Sequence, residues 1–174
     1  NLSGGATNTP YGGMVTVSTV SASATYGKHI DKDFDLEFSF PKIIKGPLHA
    51  NVAIGASGSQ RKYLYTIVGA YKWDGTTETF IVSGSSSEYQ FGGNNVASAL
   101  KLVTLDIPTT SFKASESLRM NVEVYGKVDS GDTYYGLGHD PGNRTDPNIG
   151  LFNTITTVTG TRTAFHVPFK LDLD

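Results

Sequence analysis

Apolar and polar residues alternate strictly along three separate stretches of this chain, and this alternation constrains the fold more than any other feature. Residues 33–40, 117–127 and 163–174 each place apolar side chains on one side of an extended chain and polar ones on the other. Successive side chains of a β-strand point to opposite faces of its sheet, so this pattern predicts strands with one buried face. The side chains predicted to face a core are Phe34, Leu36, Phe38, Phe40, Leu118, Met120, Val122, Val124, Phe165, Val167, Phe169, Leu171 and Leu173.

Further stretches of the chain are apolar and β-branched but alternate less cleanly. Some carry apolar residues on both faces, as the central strands of a sandwich do. In residues 99–107 the apolar face changes between Leu102 and Val103, which predicts a β-bulge at that point. The additional predicted strands are residues 12–27, 48–57, 62–73, 78–84 and 99–107.

The number and spacing of these strands predict the architecture. Turn-forming residues separate the strands, and no segment of ten or more residues shows the 3.6-residue period of an amphipathic helix. About eight strands in 174 residues favour an all-β, two-sheet antiparallel β-sandwich. At this length a jelly roll is favoured over an immunoglobulin-type sandwich, which is usually shorter. Residues 14–174 are predicted to form this single domain, and residues 1–13, rich in Gly, Asn and Thr, a flexible N-terminal arm.

The charge and composition of the chain exclude several classes of partner and site. Only 17% of the residues are charged, against about a quarter in ordinary domains, and the net charge is -2. A chain without a Lys/Arg run lacks the electrostatic footprint of a nucleic-acid partner. No apolar run approaches the roughly 18 residues of a membrane span, and the absence of cysteine excludes thiolate catalysis and Cys-bound zinc. The chain begins without Met, as a processed or partial protein would.

Residues 133–150 are the densest cluster of functional groups. Asp140, Asn143 and Asp146 offer hard oxygen ligands at close spacing, which makes calcium a candidate ligand, although the spacing is not that of an EF-hand. The alternative is that these residues only form turns, since Asp, Asn, Gly and Pro are turn formers. No other cofactor is required by the sequence.

The same loop contains the candidate ligand-binding residues. Tyr134 and Tyr135 are expected to be exposed, and with His139 and Arg144 they would form a binding patch. His139 lies beside an acid, but the chain has no nucleophile elbow such as G-x-S-x-G and no paired histidines. The sequence therefore predicts a protein that is not an enzyme.

An aromatic series in residues 62–73 has two interpretations. Exposed together, these rings would form a stacking platform for sugars; facing inward, they would belong to the core. The opposite face of this strand is bounded by Lys62 and Lys72, which favours burial of the aromatic face. The aromatic residues on the shared face are Tyr63, Tyr65, Tyr71 and Trp73.

Asp33 and Asp35 alternate with apolar residues in the strand predicted at residues 33–40, and Asp31 lies two residues before Asp33 on the same face. The alternation predicts a solvated strand face, with one side of a cation site as the alternative.

The order of features in residues 116–174, a third of the chain, resembles single jelly-roll structural proteins of virions, of the capsid, decoration or fibre-tip type. The shared features are the strand LRMNVEVYGK, the turn VDSGD, the loop YYGLGHDPGNRTDP, a Thr-rich stretch and the closing strand AFHVPFKLDLD. The resemblance implies a non-enzymatic subunit whose function is assembly or attachment.

Two functions follow as hypotheses. The first is a structural subunit that self-assembles with copies of itself on a virion or cell surface, in an extracellular or virion location. Residues 14–25 could contribute by strand exchange between copies, or could simply be the first strand of their own sandwich. The second is a carbohydrate-binding or adhesin domain that recognises surface glycans, with or without calcium.

Overall fold

The structure of the chain is a computed structural model, and its described part consists of strands, turns and connections. No helix in that part is long and apolar enough to cross a membrane. Side chains are not described for residues 6–8 and 14–20, for Ala97 or for His139. The structure describes residues 6–8, 14–20, 23–58, 60–92, 97–131, 133–139 and 163–169.

The described residues contain eleven strands, and eight of these have seven or more residues. The three short strands are β1, β7 and β11, with three residues each. The strands are β1 (Ala6–Asn8), β2 (Met14–Val20), β3 (Ser23–Glu37), β4 (Lys42–Gly58), β5 (Lys62–Trp73), β6 (Glu78–Ser85), β7 (Tyr89–Phe91), β8 (Ala97–Phe112), β9 (Ser117–Val128), β10 (Thr133–His139) and β11 (Ala164–His166).

The eight longer strands pair in a nested order. The first pairs with the last, and successive pairs move inward along the chain: β2 with β10, β3 with β9, β4 with β8, and β5 with β6, all antiparallel. Further pairing of β10 with β4 and of β9 with β5 joins these pairs into two sheets. A long antiparallel hairpin rolled up in this way is a jelly roll, so the predicted fold class is confirmed.

Sheet A has the strand order β1-β2-β10-β4-β8, with β11 continuing along the same edge of β4 as β10. Sheet B has the order β3-β9-β5-β6, with β7 following β6 along the edge of β5. Because β2 pairs with β10 of its own sheet, residues 14–20 are a strand of their own sandwich. The assignment of residues 1–13 as a flexible arm stays a prediction.

The core lies between the two sheets, and β9 follows the predicted alternation throughout. Its inward side chains Leu118, Met120, Val122 and Val124 are at most 2% exposed. Burying an apolar side chain of this size stabilises a fold by about 1.5–3 kcal/mol, so these four residues contribute substantially. The register of β9 against both neighbours is continuous in the region that carries them.

The predicted core was wrong at the end of β3 and at the end of the described chain. Strand β3 ends at Glu37, so Leu36 lies at the rim and Phe40 lies in the connection to β4, where it is exposed. Strand β11 ends at His166; Phe169 lies beyond it, pairs with Ile44 through an isolated bridge and is half exposed. Leu171 and Leu173 lie outside the described residues.

The position predicted for a bulge in β8, between Leu102 and Val103, was also wrong. Its register against β4 is unbroken from Ala97 to Ile107, and the irregularity lies further along β8, between Ile107 and Thr110, whose partners are Gly46 and Ile44. Because the ladder is regular, Leu100 and Leu102 must point away from sheet B, while the next inward residues are buried. Leu100 is 48% exposed and Leu102 59% exposed. The switch in apolar pattern therefore marks two exposed leucines on an outer face.

Candidate functional site

Strand β10 places the two candidate tyrosines on opposite faces of sheet A. Tyr134 is exposed, but Tyr135 is completely buried, its hydroxyl donates to the backbone oxygen of Lys127 at 2.8 Å, and burial raises its pKa. Its ring centroid lies 5.1 Å from that of His29. The expected exposure of Tyr135 was wrong, because adjacent residues of a strand cannot share a face. Of these two tyrosines, Tyr134 is therefore the one that a ligand at the surface can reach.

The rest of the predicted loop site lies outside what the structure describes. His139 is the last residue of β10, but its side chain is not described. The other loop candidates, both the ligand-binding arginine and the calcium ligands, also stay predictions. Among the described residues, no group of three or more His, Asp or Glu side chains is arranged to hold a metal ion. The loop candidates outside the described residues are Asp140, Asn143, Arg144 and Asp146.

The aromatic series of β5 faces outward, which corrects the prediction that it is buried. The opposite face carries Leu64, Thr66, Val68 and Ala70, and all four are completely buried. The aromatic side chains on the outer face of sheet B are partly exposed: Tyr63, Tyr65, Tyr71 and Trp73.

The two lysines that suggested the wrong face lie at the ends of β5, where long side chains can reach the rim of the sandwich. Lys62 is buried, its ammonium group donates to the backbone oxygen of Gly58, and burial lowers its pKa. Lys72 contacts the backbone oxygen of Ser111 at 3.0 Å and a carboxylate oxygen of Glu116 at 2.7 Å. A lysine at a strand end is therefore compatible with a buried strand face.

Arg119 organises one end of the outer face of sheet B, hereafter the charged face. It makes two parallel hydrogen bonds to Asp35, at 2.7 and 2.8 Å, and a third to Glu78 at 2.7 Å. Its guanidinium carbon lies 4.1 Å from the ring centroid of Trp73, in cation–π geometry. The hydrogen bond to Asp35 is the largest influence on the Arg119 pKa, which is raised.

A depression of about 280 Å³ lies beside Arg119 on the charged face. The amide nitrogen of Asn121 donates to Asp31 at 2.6 Å and to Asp33 at 2.8 Å. Lys28 contacts Asp31 at 2.6 Å and Glu123 at 2.9 Å. The lining residues, hereafter the acidic depression, are Asp31, Asp33, Tyr71, Glu78, Asn121 and Glu123.

Electrostatics distinguish the groups in the acidic depression. Burial alone would raise the pKa of Asp31, but the hydrogen bonds from Lys28 and Asn121 outweigh burial and lower it. The pKa of Tyr71 is raised, first by burial and then by the carboxylates around it. Its hydroxyl therefore stays protonated and remains a hydrogen-bond donor at neutral pH.

The other end of the charged face carries a second group of aromatic residues. Tyr65 and Tyr125 stack with parallel rings, 5.2 Å apart and inclined by 7°, and Tyr26 meets Tyr65 edge-on at 5.1 Å. The ammonium group of Lys127 lies 4.7 Å from the ring centroid of Tyr26 and 4.8 Å from that of Tyr63. These rings cover one another and Lys127, so they stabilise the sheet surface.

The outer face of sheet A has a different chemistry. Across residues 47–57, 98–106, 134–138 and 164–166, the outward positions include a single Asp, Glu, Lys or Arg side chain, Asp106, and two histidines, His49 and His166. By contrast, β3, β6 and β9 carry nine outward Asp, Glu, Lys or Arg side chains on the charged face. We call the first surface the neutral face; its described exposed or half-buried members include His49, Asn51, Leu100, Leu102, Thr104, Tyr134 and His166.

Polar side chains of the neutral face are hydrogen-bonded to one another. His49 Nδ1 and Thr104 Oγ1 lie 3.0 Å apart, and Asn51 Nδ2 and His166 Nε2 lie 3.4 Å apart. His49 and His166 are direct partners across β4 and β11. Because these polar atoms already have partners, covering this face would leave few of them unsatisfied.

Comparisons with known proteins return similarities of fold. Neither protein-family models nor curated proteins match the chain. An α-amino acid ester hydrolase matches 80% of this chain at 12% identity and a TM-score of 0.47. A CocE/NonD family hydrolase from Staphylococcus aureus matches 91% of it at 12% identity and a TM-score of 0.44.

A virus structure also matches. A chain of infectious bursal disease virus, Gx strain, matches 89% of this chain at 10% identity and a TM-score of 0.36. The chain spans 25%, 36% and 35% of the length of these three chains, in the order given. The similarity to virion proteins expected from the sequence thus has a structural counterpart, which stands beside a similarity to hydrolases.

Proposed function

We propose that this chain is a non-enzymatic structural subunit that assembles with copies of itself through the neutral face, on a virion or another extracellular surface. The observation that carries the proposal is the scarcity of charge across this face, where Asp106 is the one outward Asp, Glu, Lys or Arg side chain of the residues compared. The charged face would then remain in contact with solvent or with other partners.

The energetics of burial favour the neutral face for this role. Removing charged groups from water is costly unless each is well paired, and the centres of protein interfaces are depleted of charged residues. Leu100 and Leu102 lose contact with water when a second copy covers them, and each square ångström of apolar surface removed contributes about 25 cal/mol. Self-association through this face therefore gains apolar burial at little electrostatic cost.

Light scattering of the purified chain tests the proposal with a matched pair of variants. Leu102 and Phe80 are equally exposed, at 59%, but they lie on the neutral and charged faces, respectively. We expect the wild type to exceed the 18.6 kDa mass of one chain, Leu102→Lys to dissociate, and Phe80→Lys to assemble as the wild type does. A wild type that is monomeric, or a Leu102→Lys variant that still assembles, would contradict the proposal.

A further inference from the structure

Tyr71 forms an aromatic floor on the charged face. A Cβ atom at Gly69 would lie 2.6 Å from Cε2 of Tyr71 and 3.1 Å from its hydroxyl oxygen, so the ring extends directly over the Gly69 backbone. Only glycine allows this close approach at position 69. The ring is half-buried, and Tyr71 lines the acidic depression.

Phe80 provides a wall beside this floor. Its ring centroid lies 5.6 Å from that of Tyr71, and the two ring planes are inclined by 67°. Phe80 is 59% exposed, so this ring is available for contact. An exposed aromatic corner of this kind offers an apolar surface to a flat ligand whose edges remain polar.

Hydrogen-bonding groups surround the aromatic corner. Asn121 faces Gly69 directly across β5 and β9, and Asp33 faces Asn121 across β9 and β3. Glu78 approaches from β6, where Arg119 holds one of its carboxylate oxygens. A pyranose ring matches this arrangement, because its C–H groups can stack on an aromatic ring while its hydroxyl groups bond to carboxylates and an amide.

The charge around the corner restricts which sugar fits. Five carboxylates and two cations lie on this part of the charged face, which leaves an excess of three negative charges. An acidic sugar would be repelled, whereas a protonated amino group would be attracted. The carboxylates are Asp31, Asp33, Asp35, Glu78 and Glu123, and the cations are Lys28 and Arg119.

We infer that Tyr71, Phe80 and the acidic depression form a carbohydrate-binding subsite that prefers basic amino sugars and rejects acidic sugars. The ring of the sugar stacks on Tyr71, and its hydroxyl and amino groups bond to Asp33, Glu78 and Asn121. This subsite lies on the face opposite the proposed assembly surface, and so the two proposals stand or fall separately.

Calorimetric titration tests the subsite with three oligosaccharides of equal length: a glucosamine oligomer, its N-acetylated counterpart and a galacturonic acid oligomer. We expect the glucosamine oligomer to bind most tightly, the N-acetylated oligomer more weakly, and the galacturonic acid oligomer not at all. Raising the salt concentration should weaken binding of the glucosamine oligomer, because its attraction is partly electrostatic. Absence of binding, or preference for the acidic oligomer, would overturn the inference.

Four variants separate the contributions of ring, position and charge. Tyr71→Ala removes the aromatic floor. Gly69→Ala keeps every polar group of the subsite, but its added Cβ forces the Tyr71 ring to move. Both variants should weaken binding about tenfold, which corresponds to the upper end of the free energy of one aromatic contact. Asp33→Asn should reduce the preference for the glucosamine oligomer over its N-acetylated counterpart. Tyr63→Ala, on the same strand but outside the depression, should bind as the wild type does.

The folding of each variant is checked by its melting temperature before titration. If Tyr71→Ala and Gly69→Ala fold and still bind with wild-type affinity, the inference is wrong. If calcium alone binds to the depression and displaces the oligomer, the depression is a cation site and the inference is wrong as well. Leu102→Lys should bind sugar normally, which distinguishes failure of this site from failure of assembly.

Discussion

Replacing Thr66 by Val tests which face of β5 is buried. Thr66 is completely buried on the inner face of this strand, between Leu64 and Val68, and its hydroxyl oxygen has no hydrogen-bond partner. Valine has nearly the same shape but carries a methyl group where threonine has the hydroxyl. The substitution therefore removes an unsatisfied polar group without opening a cavity, and we expect the variant to be more stable than the wild type.

The size of the gain follows from the environment of the hydroxyl. A buried polar group without a partner costs about 1–3 kcal/mol, so we expect the free energy of unfolding to rise by about 1–2 kcal/mol. For a domain of this size each kcal/mol raises Tm by about 2–4 °C. In urea, the midpoint should increase while the slope stays unchanged, because the surface exposed on unfolding is the same.

Urea unfolding monitored by the fluorescence of Trp73, the sole tryptophan, measures this gain. The assay uses the Leu102→Lys background, so that dissociation of copies does not contribute to the measured stability. Thr104→Val is the control: its hydroxyl is exposed and bonded to His49, and no gain is expected. A Thr66→Val variant that is unchanged or less stable would refute the assignment of Thr66 as a buried, unpaired hydroxyl.

Two further substitutions test the interior. Gly126→Ala should destabilise the fold by about 1–3 kcal/mol in urea unfolding, because the added Cβ would lie 2.6 Å from Cε2 of the buried Tyr135 and would overpack the core. Gly92→Ala is the control and should be nearly neutral, because no atom of the described residues other than its chain neighbours lies within 4 Å of the added Cβ. Equal stability of the two variants would contradict this packing. Lys62→Met should remove a dependence of stability on alkaline pH. Folding lowers the Lys62 pKa, so between the lowered and the ordinary pKa values the unfolded chain binds more protons than the folded chain. The free energy of unfolding of the wild type should therefore rise with pH relative to that of the variant. A wild-type-minus-variant difference that does not change with pH would show that Lys62 is not desolvated.

The jelly roll was predictable because alternation survives wherever a strand lies inside a sheet. Strand β9 is paired on both edges, and each of its inward residues from Leu118 to Val124 is buried, as its sequence predicts. Alternation failed where pairing ends. Leu36 and Phe40 continue the apolar pattern of β3 into its last residues and beyond, where the part of the chain that the structure describes leaves them exposed.

The candidate site was harder to predict because the decisive signals were ambiguous in the sequence. Lys62 and Lys72 appeared to mark a solvated face of β5, but strand ends lie close enough to the rim for lysines to be accommodated there. Gly69 was the available signal for the opposite assignment, since a glycine within an aromatic series permits the close approach of Tyr71. No local pattern could show that Arg119 would meet Asp35 across the sheet.

The neutral face also depends on pairing between distant segments. The exposed leucines of β8 were interpreted as a shift in register, because the sequence does not show that β4 pairs with them without interruption. Only the assembled sheet shows that the outward residues of four strands share so little charge. The functional proposal therefore rests on tertiary arrangement rather than on a sequence motif.

Hydroxyl-radical footprinting of the wild type over a concentration series tests the central proposal most directly, because it measures the solvent accessibility of individual side chains. Phe80 serves as the internal reference for Leu102, since both are 59% exposed in the single chain. If the neutral face is the assembly surface, modification of Leu100 and Leu102 should fall as concentration rises, while modification of Phe80 stays constant. If the protection of Leu102 relative to Phe80 does not change with concentration, the neutral face is not where copies of this chain meet.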